Sequence, residues 1–198
     1  MKVNWVERFW VNSPLRFLIQ QRETRFFKRL RSLEPGARCL EIGCGHGAGA
    51  RIILNAFQPG HLDGLDIDPF MIRLALRRQR KAEDEGLCFL VGDVQYLPYV
   101  DGSVDAVFNF GIIHHLENWR LGIREVARVL KKGGGFYFEE IYPSLYANAI
   151  TRRLLAHPSE DRFNGPEYRG ALQSEGFRLL SGYKESRFAI LGVAVKER

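Results

Sequence analysis

Short apolar runs alternate with amphipathic stretches along this chain, and their order predicts its architecture. Leu15, Leu18, Ile19, Phe26 and Leu30 recur at near-helical spacing within residues 13–33, with arginines between them, so the chain opens on an amphipathic helical arm. Pro35-Gly36 ends it. An apolar strand follows over Arg38–Ile42, then a glycine turn. A helix over Ala48–Phe57 comes next, with Ala50, Ile53, Leu54 and Phe57 on one face. Pro59-Gly60 leads to a second strand, His61–Asp66. Asp68 is placed to cap the next helix, with Pro69 at its first position, and Phe70, Leu74 and Leu76 carry that helix to about Glu83. Gly86 precedes a third strand, Leu87–Val91, and Asp101-Gly102 a fourth, Val104–Phe110. Trp119–Lys132 is striped by Ile123, Val126, Ala127 and Leu130; Gly133-Gly134-Gly135 is expected to stop that helix before a fifth strand, Phe136–Ile141.

Strands alternating with helices give an α/β domain with a parallel sheet. The last third breaks the pattern. Residues 142–165 are aromatic, basic and irregular; Pro166 opens a helix that ends at Gly176. Phe177–Tyr183 and Arg187–Lys196 then read as an antiparallel hairpin closing the sheet. The expected fold is a Rossmann-like doubly wound sheet of seven strands, mostly parallel, with helices on both faces. Residues 1–36 form an arm or substrate cap, 37–198 the main domain, and 142–170 an insertion within it. A length of 198 residues, 45% of them apolar and 26% charged, suits this single soluble unit. No apolar run is long enough to span a bilayer, and Met1–Trp10 has no signal core, so a cytoplasmic protein is expected.

Charge and cysteine content add less. The formal net charge is +6, concentrated at Arg16, Arg22, Arg25, Lys28, Arg29 and Arg31, and again at Arg73, Arg77, Arg78, Arg80 and Lys81. These read as solvated helix faces; the alternative is attraction of nucleic acid, anionic lipid or an anionic substrate. Three cysteines, Cys39, Cys44 and Cys88, show no metal-ligand spacing, and no metal site is expected. Cys39 and Cys88 fall in apparent core strands, and Cys44 in the glycine loop, as packing residues.

The chemistry concentrates at Cys39-Leu40-Glu41-Ile42-Gly43-Cys44-Gly45-His46-Gly47. A strand, a glycine turn and a helix N-terminus form a nucleotide-cofactor site. Three acids stand where strands end: Glu41, Asp66 and Asp93. Asp66 follows Gly43 by 23 positions, the spacing at which an acid reaches a ribose over the turn. Gly43 to Ala48 also matches the dinucleotide fingerprint. Glu41 before the first glycine is poorly placed for a pyrophosphate but suits a cation, and a nicotinamide dinucleotide has no general need of Asp93.

These residues resemble the class I S-adenosylmethionine-dependent methyltransferases, in particular the small-molecule branch called type 11. The similarity covers about Ala37–Phe138. It runs through Leu40–Gly47, Gly64–Met71, Gly92–Pro98 with Ser103–Val107, Ile112–Leu116 and Glu125–Gly134 in the family's order; Leu172–Phe177 is similar to its later helix-Gly-Phe segment. The resemblance implies S-adenosylmethionine as cofactor and S-adenosylhomocysteine as product. It implies that Gly43, Cys44, Gly45 and Gly47 wrap the methionine part, with Glu41 near its amino group. Asp66 would hold the ribose, with Ile67 packed on the adenine. Asp93 and Val94 would read the adenine edge, and Phe110 and Gly111 would line the floor.

A sulfonium methyl is already a good electrophile, so the protein needs mainly to align it. His114 and His115 are candidate bases, with a structural or pocket-shaping role favoured. Glu139 and Glu140 end the fifth strand on the same edge; one of them is expected to reach the acceptor. Tyr142 and Tyr146 are candidate pocket walls, with core packing the equal alternative. The acceptor is expected to be a small molecule, apolar or anionic, entering beneath residues 1–33 and 142–170, with Arg152 and Arg153 as candidate anion contacts. Asn109-Phe110-Gly111-Ile112 lacks the proline of exocyclic-amine nucleic-acid methyltransferases, and the chain has no Pro-Cys pair, which argues against a nucleic-acid acceptor. The alternatives are an RNA, lipid or quinone methyltransferase using the basic arm, a peripheral membrane contact by that arm, a non-catalytic cofactor-binding subunit, or a dehydrogenase. The oligomeric state is not legible.

Overall fold

A computed structural model describes residues 13–82, 86–146 and 161–198. The elements are helix α1 (Pro14–Leu30), strand β1 (Arg38–Ile42), α2 (Ala48–Phe57), β2 (His61–Asp66), α3 (Pro69–Ala82), β3 (Leu87–Val91) and β4 (Val104–Phe110). A 3-10 turn (Ile113–His115) follows, then α4 (Trp119–Val129), β5 (Leu130–Ile141), α5 (Pro143–Tyr146), α6 (Gly165–Ser174), β6 (Phe177–Leu179), β7 (Lys184–Glu185) and β8 (Ala189–Lys196).

The sheet order is β3-β2-β1-β4-β5-β8-β6, with β7 also paired to β8. The first five strands are parallel, and β8 enters antiparallel between β5 and β6. The expected doubly wound, mostly parallel architecture is therefore present, with eight strands rather than seven. Its order reverses between β1 and β4, and all the parallel strands end on one edge. On one face, Trp119, Ile123 and Val126 of α4 pack with Phe136, Phe138, Tyr168 and Leu172. On the other, Phe26 and Phe27 of α1 join Ile53 and Phe57 of α2 over Phe108 and Tyr137.

Four readings of the sequence change. The helix expected over Trp119–Lys132 stops at Val129, because Leu130 turns extended and pairs with Val104; the glycines lie within β5 rather than before it. The first hairpin strand, expected over Phe177–Tyr183, breaks near Gly182 (φ 90°) into β6 and β7, two short segments along one edge of β8. Cys88 is exposed, whereas Cys39 and Cys44 are buried; β3 is the edge strand and is only half covered.

The fourth change concerns the arm. Its N-terminal half packs with its polar side inward. Leu15 and Leu18 are each 53% exposed and Phe17 is 40% exposed, while Arg16, Gln20, Glu23 and Thr24 are buried. Arg16 thus leaves the solvated basic face to which its neighbours assign it. Ser13 caps α1 by accepting from the Arg16 N–H. Arg152 and Arg153 lie outside the described residues, as do 147–160 of the expected insertion.

Candidate active site

The cleft lies at the carboxyl edge of the parallel strands, over the point where strand order reverses. It is lined by Gly43, Cys44, Gly45, Asp66, Ile67, Asp93, Val94, Phe110, Gly111 and His115, all sequence candidates. Parallel pairing brings them together, since β1, β2, β3 and β4 end side by side. Gly47 lies one step behind, at the N-cap of α2 with φ 82°. A Cβ there would come within 2.6 Å of Phe89 Cζ.

The glycine turn is tied to its acids. Cys44 N–H donates to Leu65 O at 3.0 Å. Asp66 accepts from Gly45 N–H through Oδ2 at 2.9 Å and from Asp68 N–H through Oδ1 at 2.8 Å. Asp93 Oδ1 accepts from Gln95 N–H at 2.8 Å. These bonds fix both carboxylates at strand ends without removing them from the cleft wall.

Glu41 lies under the turn and is 2% exposed. It accepts from the Ala50 N–H, yet its Oε2 is buried without a hydrogen-bond partner among the described residues. Burial, then the Asp66 charge, holds its carboxyl well above the usual range. An orphaned acid of this kind is costly unless a cation answers it. Gly49, which the sequence reading passed over, makes room for it: a Cβ at Gly49 would stand 2.0 Å from Glu41 Oε1. A glycine inside the first turn of a helix was the available signal.

The candidate bases separate. His114 is buried, with Nδ1 2.6 Å from Glu140 Oε2. Glu140 is fully buried and also accepts from Asn109 Nδ2 at 2.6 Å, Ile113 N–H at 2.7 Å and His114 N–H at 3.2 Å. Burial pushes this carboxyl up to about 7 despite those donors. The pair clamps the 3-10 turn to the end of β5; His115 is the member that lines the cleft. Glu140 therefore does not reach outward. Tyr142 is buried and donates to Glu185 at 2.9 Å, away from the cleft; the side chain of Tyr146 lies outside the described residues.

Glu139 is engaged by the arm. Arg16 Nη2 donates to Phe110 O at 2.9 Å and to Glu139 Oε2 at 3.2 Å, while Nη1 meets Glu23 at 3.0 and 3.2 Å. Two carboxylates thus flank one guanidinium in a largely buried site. Burial, then the Glu139 charge, pushes Glu23 up to about 7. Burial alone would lower the Arg16 pKa, but the charges of Glu139 and Glu23 raise it. Arg16 and Gln20 both line the cleft. Nothing in the local sequence separates Arg16 from the surface arginines beside it; only docking of the arm does.

The combination defines a class of protein: a doubly wound α/β domain with a glycine turn, three strand-end acids and a buried unanswered carboxylate at its switch point. More particularly, residues 40–138 match the family model described as a methyltransferase domain, and the chain belongs to that family. It is 35% identical to the fatty-acid O-methyltransferase of Mycolicibacterium smegmatis over 74% of this chain and 46% of that protein. It is 34% identical to a phthiotriol/phenolphthiotriol dimycocerosates methyltransferase of Mycobacterium tuberculosis over 68% of this chain and 50% of that one. The chain thus matches about half the length of these curated relatives. Among solved structures, it resembles an S-adenosylmethionine-dependent methyltransferase from Aquifex aeolicus with TM-score 0.77 and 17% identity, over 98% of this chain and 100% of that one. It also resembles the cyclase SpnF, with TM-score 0.70 and 19% identity over 91% and 81%. These structural likenesses show the fold.

Proposed function

We propose that the protein transfers the methyl group of S-adenosylmethionine to an oxygen of an apolar, lipid-like small molecule, with a carboxylate as the preferred acceptor. The observation that carries the cofactor assignment is Glu41: a buried acid with an unpartnered oxygen beneath the glycine turn suits a cationic ligand. A pyrophosphate there would meet a negative group. Gly43, Cys44, Gly45 and Gly47 would hold the amino-acid part, and Glu41 would offset its positive charge. Asp66 would accept the ribose hydroxyls, beside Ile67. Asp93 and Val94 would face the adenine edge, with Phe110 and Gly111 as the floor. When bound, S-adenosylmethionine supplies a methyl group activated by a sulfonium.

The chain's own task is then to exclude water and hold the acceptor oxygen in line. An ionised carboxylate has no proton to lose, so no general base is needed. This reading accords with His114 being committed to Glu140, and with Glu139 being held by Arg16. His115 would shape the wall. Methylation of a carboxylate yields its methyl ester and S-adenosylhomocysteine. The relative named for fatty-acid O-methylation supports the acceptor class.

In this reading α1 acts as the acceptor-side cap and 37–198 as the methyltransferase domain. Exposed Leu15, Phe17 and Leu18 beside a basic helix also suit contact with an anionic membrane surface, from which such acceptors would come. Among the described residues no helix is long and apolar enough to cross a membrane. The test is incubation of the protein with labelled S-adenosylmethionine and a panel of fatty acids, the matching alcohols and bulk RNA, read by mass spectrometry. Methyl esters are expected. Methylated RNA, or binding of a nicotinamide dinucleotide in place of S-adenosylmethionine, would overturn the reading.

A further inference from the structure

Asp63 breaks the pattern of its strand. Parallel strands covered on both faces are nearly continuous in apolar residues, and Asp63 is registered between Leu40 of β1 and Cys88 of β3. Its side chain is only 9% exposed. A buried acid in that place needs a reason, and its neighbours supply one. His61, two positions earlier on the same strand face, brings Nε2 to 2.9 Å from Asp63 Oδ1. The imidazole nitrogen, the carboxylate oxygen and the Cys88 sulfur all lie within 4.8 Å of one another.

We propose that His61, Asp63 and Cys88 form a binding site for a divalent zinc ion, outside the cofactor cleft. One nitrogen, one oxygen and one sulfur donor is a borderline set suited to zinc rather than to magnesium or calcium. Tetrahedral zinc bonds of about 2.0–2.3 Å hold their donors roughly 3.3–3.7 Å apart, so the His61–Asp63 pair, now at 2.9 Å, would open slightly to exchange its hydrogen bond for the ion, with the Cys88 sulfur already within 4.8 Å. The edge position of β3 leaves Cys88 exposed and the site open to solvent, which provides the path of access and a fourth position for water. The ion would displace the thiol proton to solvent and neutralise the buried carboxylate.

The surroundings allow this. Arg38 Nη2 stands 3.5 Å from Asp63 Oδ2, on the oxygen that does not face His61, and its side chain is half-exposed. It can swing outward over the Tyr99 ring, whose centroid already lies 5.8 Å from its Cζ. His61 opens β2 and Asp66 closes it, so the metal site lies toward the end of the strand away from the cleft, with Asp63 roughly 10 Å and His61 roughly 16 Å from Asp66 at ~3.3 Å per residue. The site would clamp β2 to the edge strand β3, independently of methyl transfer.

The test is titration of the untagged, reduced protein with cobalt(II), a spectroscopic stand-in for zinc. One equivalent should produce a thiolate-to-cobalt charge-transfer band, which zinc abolishes. Cys88→Ser should lose the band, and His61→Ala should weaken zinc at least about tenfold in competition with a chelator. Both positions are partly exposed, so the variants should keep the wild-type circular dichroism. Zinc should also protect Cys88 from alkylation, with buried Cys39 and Cys44 inert. Absence of the band, its persistence in Cys88→Ser, or an alkylation rate indifferent to zinc would overturn the proposal.

Discussion

Replacing Arg16 with methionine should uncouple the arm from the cleft. The substitution keeps the apolar stem but deletes four side-chain hydrogen bonds, two to Glu23, one to the Phe110 carbonyl and one to Glu139, and leaves an uncharged tip in their place. Two mostly buried carboxyls would then face each other without a cation. Breaking such a pair by removing one partner costs about 3–5 kcal/mol. For a chain of this size, that corresponds to a fall in Tm of about 6–20 °C. The loss should shrink as pH falls from 8 to 5, because protonated Glu23 and Glu139 no longer need the guanidinium. Burial raises both of these carboxyls, Glu23 to about 7, so this relief should begin near neutrality. The triple change Arg16→Met, Glu23→Gln, Glu139→Gln should recover most of the stability at pH 8. The assay is thermal unfolding followed by circular dichroism at several pH values, with cofactor affinity measured by calorimetry. Arg16 and Gln20 line the cleft, so affinity should fall even where Tm is restored. A Tm within 1–2 °C of wild type at pH 8, with unchanged affinity, would refute the idea that this arginine pins the arm.

Other expectations follow from the same geometry. Gly49→Ala should abolish cofactor binding and cost about 1–3 kcal/mol of stability, since its Cβ would collide with the Glu41 carboxylate at 2.0 Å; normal binding by a stable Gly49→Ala protein would remove the proposed role of Glu41. Glu41 is held well above the usual carboxylate range in the free protein, so a cation beside it should drive its proton off. Calorimetry in buffers of different ionisation enthalpy should then register proton release on S-adenosylmethionine binding, affinity should rise with pH up to the pKa of Glu41 in the free protein, and Glu41→Gln should lose both effects. Glu140, pushed up to about 7, binds its proton more tightly when folded than when unfolded. Its contribution to stability is therefore fully present below about pH 4.5 and is lost as pH rises to about 7; a Glu140→Gln protein should show a flatter stability profile over that window in urea titrations. Asp66→Ala should weaken the cofactor by about 10–100-fold if it makes the ribose contacts proposed for it, and it also frees the Gly45 N–H that Asp66 now accepts from.

Much of this molecule is written locally. Apolar periodicity places α2, β1, β2, β3 and β4 at the expected residues, because a strand or helix buried on a sheet must show its period. Glycines before Ala48 and acids at strand ends mark the cleft for an equally local reason: a tight turn needs residues without a Cβ, and parallel strands all end on one edge. Where short-range signals compete, the sequence is less decisive. Leu130 suits a helix stripe as well as a strand, and pairing with Val104 settles it as strand.

What the tertiary structure alone decides is which polar residues become interior. Arg16 and Arg22 look alike in the arm, but docking of α1 on β4 and β5 buries the first between two carboxylates. His114 and His115 are adjacent and chemically identical, yet Glu140 takes one and the cleft the other. His61, Asp63 and Cys88 have no ligand spacing to recognise, since strand pairing rather than sequence distance sets them side by side. The sequence determines the fold, the cofactor turn and its acids through short-range periodicity and backbone sterics. Partners of buried charges come from distant segments, and their energies depend on burial that exists only once the sheet and its helices have packed.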